Sequence, residues 1–232
     1  MARFPLRLQF ALAKARLFHG RTSIRYLRAE EILHPQSQQP VSHDAVRELI
    51  RDRHSIVWIA GSGPDGDPLA HPGIGHLTRL IAQRHFTFLE TNAITLRQRI
   101  HEFQPLPRLY IVVRFLGTET AHDRRLAHPG AFRAAIEGIR AAQLSGFLIC
   151  AKMDHSVGSP ETAEVREGLR TLNLDGVMST HSSLVPDSGW SRFLRAVEQA
   201  RSMEDKSSQP QPAQSQVATA DAEGCEEVAQ AQ

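Results

Sequence analysis

Short apolar runs alternate with longer amphipathic stretches along most of this chain after residue 23. The runs have the length and β-branched content of strands buried on both faces, and the stretches between them repeat apolar residues at helical spacing. Six strands are predicted in this way, at 24–27, 56–60, 86–89, 109–115, 147–151 and 176–179. Predicted helices follow them at 44–51, 73–81, 94–103, 131–144, 161–172 and 190–203.

Strands that alternate with helices predict an α/β fold, in which helices cover a parallel sheet. Six such units are fewer than the eight that close a (β/α)₈ barrel. On the pattern alone, two architectures stay open: an open, partial barrel of six units, and a doubly wound sheet.

The two ends of the chain depart from this alternation. The first 29 residues contain seven basic residues and no acidic one, and an amphipathic helix is predicted at 5–18. This helix either closes the end of the domain or gives residues 1–19 a weak peripheral contact with a membrane surface; an acid-poor, arginine-rich segment also resembles a transit peptide. After residue 203 the composition predicts a disordered tail. The expected organisation is an N-terminal helix at 1–22, a barrel domain at 23–203 and a tail at 204–232.

Composition and charge are those of an ordinary soluble protein. Apolar residues make up 41% of the 232 positions and charged residues 22%, and the net charge of +2 is too small to predict a nucleic-acid partner. The two cysteines, Cys150 in an apolar run and Cys225 in the polar tail, predict no disulfide and fit a reducing cytoplasm. No apolar stretch approaches the roughly 20 residues that span a bilayer.

Glycine and proline interrupt the chain directly after the second predicted strand. The residues that preclude regular structure there are Gly61, Gly63, Pro64, Gly66 and Pro68. A strand, a glycine-rich turn and a helix form the unit that places ligands at the carboxyl edge of a parallel sheet. Such a turn holds a small polar ligand through backbone N–H groups, or it is an elongated surface turn without a ligand.

Three loops follow successive predicted strands with the sequences GDPLAHP at 66–72, TNA at 91–93 and GTETAHDR at 117–124. Taken in order, they resemble the Gly-Gly-Glu-Pro turn with its Leu-x-His-Pro, the Thr-Asn-Gly, and the Gly followed by His-Asp and Arg of the radical S-adenosylmethionine (radical SAM) superfamily. PGAF at 129–132 continues the likeness. The resemblance covers about residues 23–180, and it implies a partial (β/α)₆ barrel, in agreement with the six units counted above.

The resemblance also implies a set of residues that bind the cofactor S-adenosylmethionine. They are Gly61, Gly63, Gly66, Asp67, Pro68, Asn92 and Arg114. Asp67 stands where the family has a glutamate that accepts a hydrogen bond from the ligand's amino group. Asn92 is also expected to cap the helix that begins at Ile94. Arg114 stands where the family often has a serine near the ribose; it either faces a loop acid, Asp67 or Glu90, or binds an anionic ligand.

The cysteine motif of the family is missing. Radical SAM enzymes hold a [4Fe–4S] cluster through Cys-x₃-Cys-x₂-Cys after the first strand, and thiolates are what the cluster requires. The corresponding loop at 32–40 reads ILHPQSQQP, and Cys150 and Cys225 cannot replace three ligands. We therefore expect no cluster and no catalytic residue. The leading interpretation is a pseudoenzyme that acts as a binding or accessory protein and retains S-adenosylmethionine or another small ligand.

Two other interpretations remain. In the first, the chain is an active enzyme on the same barrel: a radical SAM-type enzyme whose cluster is held by other ligands or supplied by a partner chain, or a metal-dependent hydrolase or lyase. In the second, the chain is a diverged product without activity. Histidines and aspartates follow several predicted strands: His71, His122, Asp123, Asp154, His155 and His181. No His-x-His or His-Glu-x-x-His spacing supports a metal site, so no metal ligand is assigned. Cys150, Trp58 and Trp190 are interpreted as packing residues.

Overall fold

The computed structural model describes residues 4–19, 24–33, 46–47, 56–61, 66–153, 161–179 and 189–207. The strands of its sheet are β1 (Ile24–Arg28), β2 (Ile56–Ala60), β3 (Phe86–Thr91), β4 (Leu109–Phe115), β5 (Leu148–Met153) and β6 (Gly176–Ser179). The helices are α1 (Leu6–His19), α2 (Ala29–Ile32), α3 (Ile74–Ala82), α4 (Leu96–Arg99), α5 (Glu119–Arg125), α6 (Ala131–Leu144), α7 (Glu161–Arg170) and α8 (Gly189–Ser207). Short 3₁₀ turns lie at Pro68–Ala70 and Ile100–Glu102.

The six strands form one sheet in the order β1-β2-β3-β4-β5-β6, and each strand is parallel to its neighbour. A doubly wound sheet would reverse its order at a switch point, and this sheet does not. Strands β1 and β6 are its two edges, so the sheet is open. The sequential order decides between the two architectures in favour of a partial (β/α)₆ arrangement, and the predicted α/β fold class is confirmed.

The connecting helices cover one face of the sheet, which we call the outer face. Right-handed crossovers between neighbouring parallel strands place successive helices on the same side. Alternate strand residues pack there against helices α3, α6 and α7. The strand residues are Val57, Ile59, Leu89, Ile111, Val113, Ile149 and Ala151, and the helix residues include Leu77, Ile81, Ala135, Ile139, Val165 and Leu169.

The opposite, inner face is covered by the two terminal helices, α1 and α8. Its strand residues include Tyr26, Trp58, Phe88, Tyr110, Val112, Cys150 and Met178, and they pack against Leu8, Trp190, Phe193, Leu194 and Val197. The ring of Phe88 stacks between those of Trp58 and Tyr110, with centroid distances of 5.4 and 4.8 Å. Both tryptophans are buried packing residues, as the sequence predicts.

Helix α8 crosses the inner face diagonally. It begins beside the amino end of β6, where the ring of Trp190 lies against Gly176 so closely that a Cβ there would be 2.5 Å from the ring. It ends beside the carboxyl end of β1, where Asp205 pairs with Arg28 and Glu204 pairs with Arg25 at 3.0 Å. The helix extends four residues beyond the predicted end at 203.

Some expectations fall outside the described residues. The predicted helix at 44–51 is described only at 46–47, which are helical, and nothing is described after residue 207. The assignment of the chain to three domains therefore stays a prediction. Within the described ranges, no helix combines the length and apolar character needed to cross a membrane.

Candidate functional site

The loop after β2 closes on itself at two of the predicted glycines. A Cβ on Gly61 would lie 2.4 Å from the carbonyl carbon of Gly66, so only glycine allows the two ends of the loop to approach this closely. Gly63 lies outside the described residues. Pro68 is buried and opens the 3₁₀ turn, where a missing N–H costs nothing. The close approach of Gly61 and Gly66 thus returns the chain to the end of β2 and places Asp67 at the carboxyl edge of the sheet.

Asp67 is held by donors from its own turn and from the end of β3. Its Oδ1 accepts a hydrogen bond from the Leu69 amide at 3.1 Å, and its Oδ2 accepts one from the Thr91 hydroxyl at 3.0 Å. The pKa of Asp67 is raised above its usual value by burial, the largest effect, although the bonds from Leu69 and Thr91, the charge of Arg114 and the backbone of Asn92 oppose this shift. The structure therefore brings together three of the sequence-predicted positions, Asp67, Asn92 and Arg114.

Asn92 shapes the turn that leads from β3 into the next helix. Its Oδ1 accepts a hydrogen bond from the Ile94 amide at 3.0 Å, which forms an Asx turn. The predicted capping role is wrong, because α4 begins at Leu96 rather than Ile94 and its N-cap is Thr95. Between Asn92 and Ile94, Ala93 has a φ of 62°, in the left-handed region. The radical SAM motif has glycine at this position, which adopts that conformation at lower cost.

Arg114 lies at the inner face near the end of β4. Its Nη1 is 4.0 Å from Glu90 Oε1, and its charge also acts on Asp67. Of the two roles considered for Arg114, the structure shows the pairing with Glu90. The Arg114 side chain is largely buried, with 12% of its area exposed.

Sequence analysis missed the charged residue that organises this region, Lys152 of β5. Its Nζ donates to both oxygens of Glu90 at 3.1 and 3.2 Å and to Glu198 of α8 at 3.0 Å. Although burial alone would lower it, the pKa of Lys152 is raised by these two carboxylates. We refer to Glu90, Arg114, Lys152 and Glu198 as the inner charge cluster. The available signal was the presence of charged residues inside apolar strands.

Neighbouring residues extend the cluster toward β1. The Trp58 indole donates to Glu90 Oε2 at 2.9 Å, which completes the hydrogen bonding of a buried carboxylate. Arg201 of α8 lies over the ring of Tyr26, 5.7 Å from its centroid, and 3.8 Å from Glu198. Burial, followed by the charge of Glu90, raises the pKa of Tyr26 to about 12. These polar contacts thus hold α8 against the inner face of the sheet.

The histidine and aspartate of the third loop have structural contacts. His122 is fully buried, and its Nδ1 accepts the Leu116 amide at 3.1 Å; burial lowers its pKa to about 4, so the ring is neutral. Asp123 accepts the amides of Gly130 and Phe132 at 2.7 and 2.9 Å, at the start of α6. Although desolvation opposes the shift, these bonds lower the pKa of Asp123. His122 thus ties the loop to the end of β4, and Asp123 ties it to the start of α6.

The metal-enzyme alternative gains no site from the described residues. Among them, no group of three or more histidine, cysteine, aspartate or glutamate side chains could hold a metal ion. His71 is nearly buried, with its Nε2 3.7 Å from Glu30. Asp154, His155 and His181 lie outside the described residues.

The residues present do not fit the iron–sulfur cluster of the radical SAM family. Cys150 is completely buried on the inner face, and burial raises the pKa of its thiol well above the usual range, which disfavours the thiolate. Cys225, the other cysteine of the chain, is 75 positions away in sequence, and the loop at 32–40 contains none. Three converging thiolates are therefore not available from this chain.

The solved structures that resemble this chain include three of SuiB from Streptococcus suis. They contain SuiB bound to S-adenosylmethionine (12% identity, TM-score 0.48), SuiB bound to the precursor peptide SuiA (13%, 0.48) and SuiB (14%, 0.47). Each match covers 87% of this chain but only 51 or 52% of the other, so the chain spans about half the length of these structures. No protein-family model and no curated protein matches the chain. Family and ligand therefore stay predictions from the chain's own residues.

Proposed function

We propose that this chain is a binding or accessory protein on a radical SAM-like partial barrel, and that it holds S-adenosylmethionine or a similar small zwitterion at the carboxyl edge of β2, β3 and β4 without a [4Fe–4S] cluster of its own. One observation carries the proposal. Asp67 is hydrogen-bonded to Thr91 across 24 positions of sequence and lies beside Asn92, so two loops selected by separate motifs meet at one point.

The chemistry of this edge suits a ligand that carries both charges. An ionised carboxylate accepts about four hydrogen bonds, and Asp67 accepts two, from the Leu69 amide and the Thr91 hydroxyl. Acceptor capacity therefore remains for the ammonium group of an amino acid moiety. Arg114, whose charge already acts on Asp67, supplies a cation for the ligand's carboxylate.

The proposal is limited to binding because the donor set does not fit the cluster. In the family, the cluster supplies the electron that cleaves S-adenosylmethionine, and this chain lacks the three thiolates that would hold it. No reaction step is assigned to any residue. The parts of the chain that support the proposal orient and bind a ligand.

Calorimetric titration of S-adenosylmethionine into the full chain tests the proposal. We expect saturable binding by the natural sequence and a dissociation constant raised roughly 10-fold or more by Asp67→Asn, because a hydrogen bond to a charged group contributes about 1.5–3 kcal/mol. Arg97→Gln is the control, since Arg97 pairs with Glu137 on the exposed surface of α4 and α6. Melting temperatures of each variant establish that the fold is retained.

Three results would contradict the proposal or part of it. Absence of binding by the natural sequence would remove S-adenosylmethionine as the ligand. Equal affinities of the natural sequence and Asp67→Asn would move the site away from this edge. A visible thiolate-to-iron charge-transfer band after anaerobic reconstitution, or turnover of S-adenosylmethionine, would favour the enzymatic alternative.

A further inference from the structure

Helix α1 divides its apolar residues between the domain and the solvent. Leu8 is completely buried against the inner-face packing, whereas Leu6 and Phe10 have 69% and 73% of their areas exposed. Residues four positions apart lie on the same side of a helix, so Leu6 and Phe10 form one apolar surface. Closing the domain explains Leu8 but leaves these two exposed side chains unexplained.

An apolar groove lies between this part of α1 and the first turns of α8. Its volume is about 610 Å³, and it is lined by Phe4, Leu12, Ala13, Phe193, Ala196 and Arg192. The groove lies beside the amino end of β6, where Trp190 packs against Gly176. The groove therefore lies toward the amino ends of the strands, whereas the proposed ligand site lies at their carboxyl ends. The two sites are independent of each other.

The charged residues of α1 and of the first turns of α8 are all basic. Arg7 is exposed on α1, and Arg192 lines the groove from α8. Helix α1 contains no acidic residue, and α8 has none before Glu198. Apolar side chains with basic neighbours and no acidic ones complement an anionic lipid surface.

We propose that this surface docks onto an anionic bilayer: Leu6 and Phe10 enter the interfacial region, Arg7 and Arg192 contact lipid headgroups, and the groove receives an acyl chain. Single-signed charge next to exposed apolar residues favours a lipid surface over a second copy of the chain. A second copy would bring the same basic residues together, and like charges repel.

Sedimentation of the full chain with lipid vesicles tests this inference. We expect binding to vesicles that contain phosphatidylglycerol, weaker binding to pure phosphatidylcholine, and a decrease with rising salt. Leu6→Ser combined with Phe10→Ser should lower partitioning roughly 100-fold, given the transfer free energy of two large apolar side chains. Leu144→Ser is the matched control, because Leu144 is 90% exposed on α6.

Charge is tested separately with Arg7→Gln and Arg192→Gln. Together they should reduce both the affinity for phosphatidylglycerol vesicles and its salt dependence, whereas Arg84→Gln on the exposed surface after α3 should change neither. Circular dichroism checks that the variants fold. The inference is overturned by failure of the natural sequence to sediment, by an equal loss in Leu144→Ser, or by a dimer that Leu6→Ser and Phe10→Ser abolish without any lipid binding.

Discussion

At the scale of single residues, the most distinctive feature of this region is a buried charge, that of Lys152. The ammonium group of Lys152 lies within hydrogen-bond distance of Glu90 on β3 and Glu198 on α8, although only 6% of the residue is exposed. Removing a buried charge from its partners leaves those partners unpaired, which costs far more than the intact pair contributes. Lys152 is therefore the residue whose replacement has the clearest consequence.

Lys152→Met should lower the free energy of unfolding by roughly 3–5 kcal/mol, because Glu90 and Glu198 then lose the cation that they share and keep only the more distant Arg114 and Arg201, at 4.0 and 3.8 Å. Urea denaturation measures the change. Adding Glu90→Gln and Glu198→Gln to the same chain should recover part of the loss, since the two carboxylate charges that lost Lys152 are then removed, although Arg114 and Arg201 lose their partners. A loss below about 1 kcal/mol in the single variant would show that the cluster is open to water.

Sequence patterns predicted part of the candidate site at this scale. The meeting of Asp67 and Asn92 follows from two loops that each directly follow a strand of a parallel sheet. The pairing of Lys152 with Glu90 and Glu198 joins residues 62 and 46 positions apart. It depends on which strand face each residue occupies and on the path of α8, and neither is encoded in a local pattern.

At the scale of elements, the contact between α8 and β6 determines how the inner face is covered. The ring of Trp190 lies on Gly176, so the helix approaches the strand as closely as a glycine allows. This approach is what lets the following turns of α8 place Phe193 against Phe88, with a centroid distance of 4.8 Å. A larger residue at 176 would push α8 away from the strand.

Gly176→Ala should destabilise the protein by about 1–3 kcal/mol, because its Cβ would overlap the Trp190 ring and a packed core resists the extra methyl. Gly168→Ala is the matched control within α7, where nothing lies within 4 Å of the added Cβ. It should stabilise by roughly 0.5–1 kcal/mol, as alanine does in a helix interior. Thermal and urea unfolding compare the two. Effects of the same sign would refute the packing argument.

At the scale of the whole molecule, the number and order of the strands could be predicted, and the covering of the sheet could not. The apolar runs gave all six strands, and the parallel pairing follows from their alternation with helices. The pattern showed that α1 and α8 are helices but not that they share the inner face. Helices of terminal segments have no crossover that fixes their side of the sheet.

A chain ending at residue 188 should lose the inner-face packing and become a compact state without fixed tertiary structure. The rings of Trp58, Phe88 and Tyr110 would then form an exposed apolar patch. We expect the chain ending at residue 188 to bind a hydrophobic dye and to lose its near-ultraviolet circular dichroism. A chain ending at residue 207 should show the same dye binding and the same near-ultraviolet signal as the full chain. A cooperative thermal transition without dye binding in the shorter chain would contradict this.

The position of α8 also has a consequence for biosynthesis. Its pairing of Asp205 with Arg28 joins residues 177 positions apart, so the fold is completed only by the last described helix. While the ribosome is still translating the first 188 residues, the strands can pair but their aromatic inner face has only α1 to cover it. Nascent chains that still lack α8 therefore expose an apolar sheet face, and such surfaces make incompletely folded chains prone to aggregation.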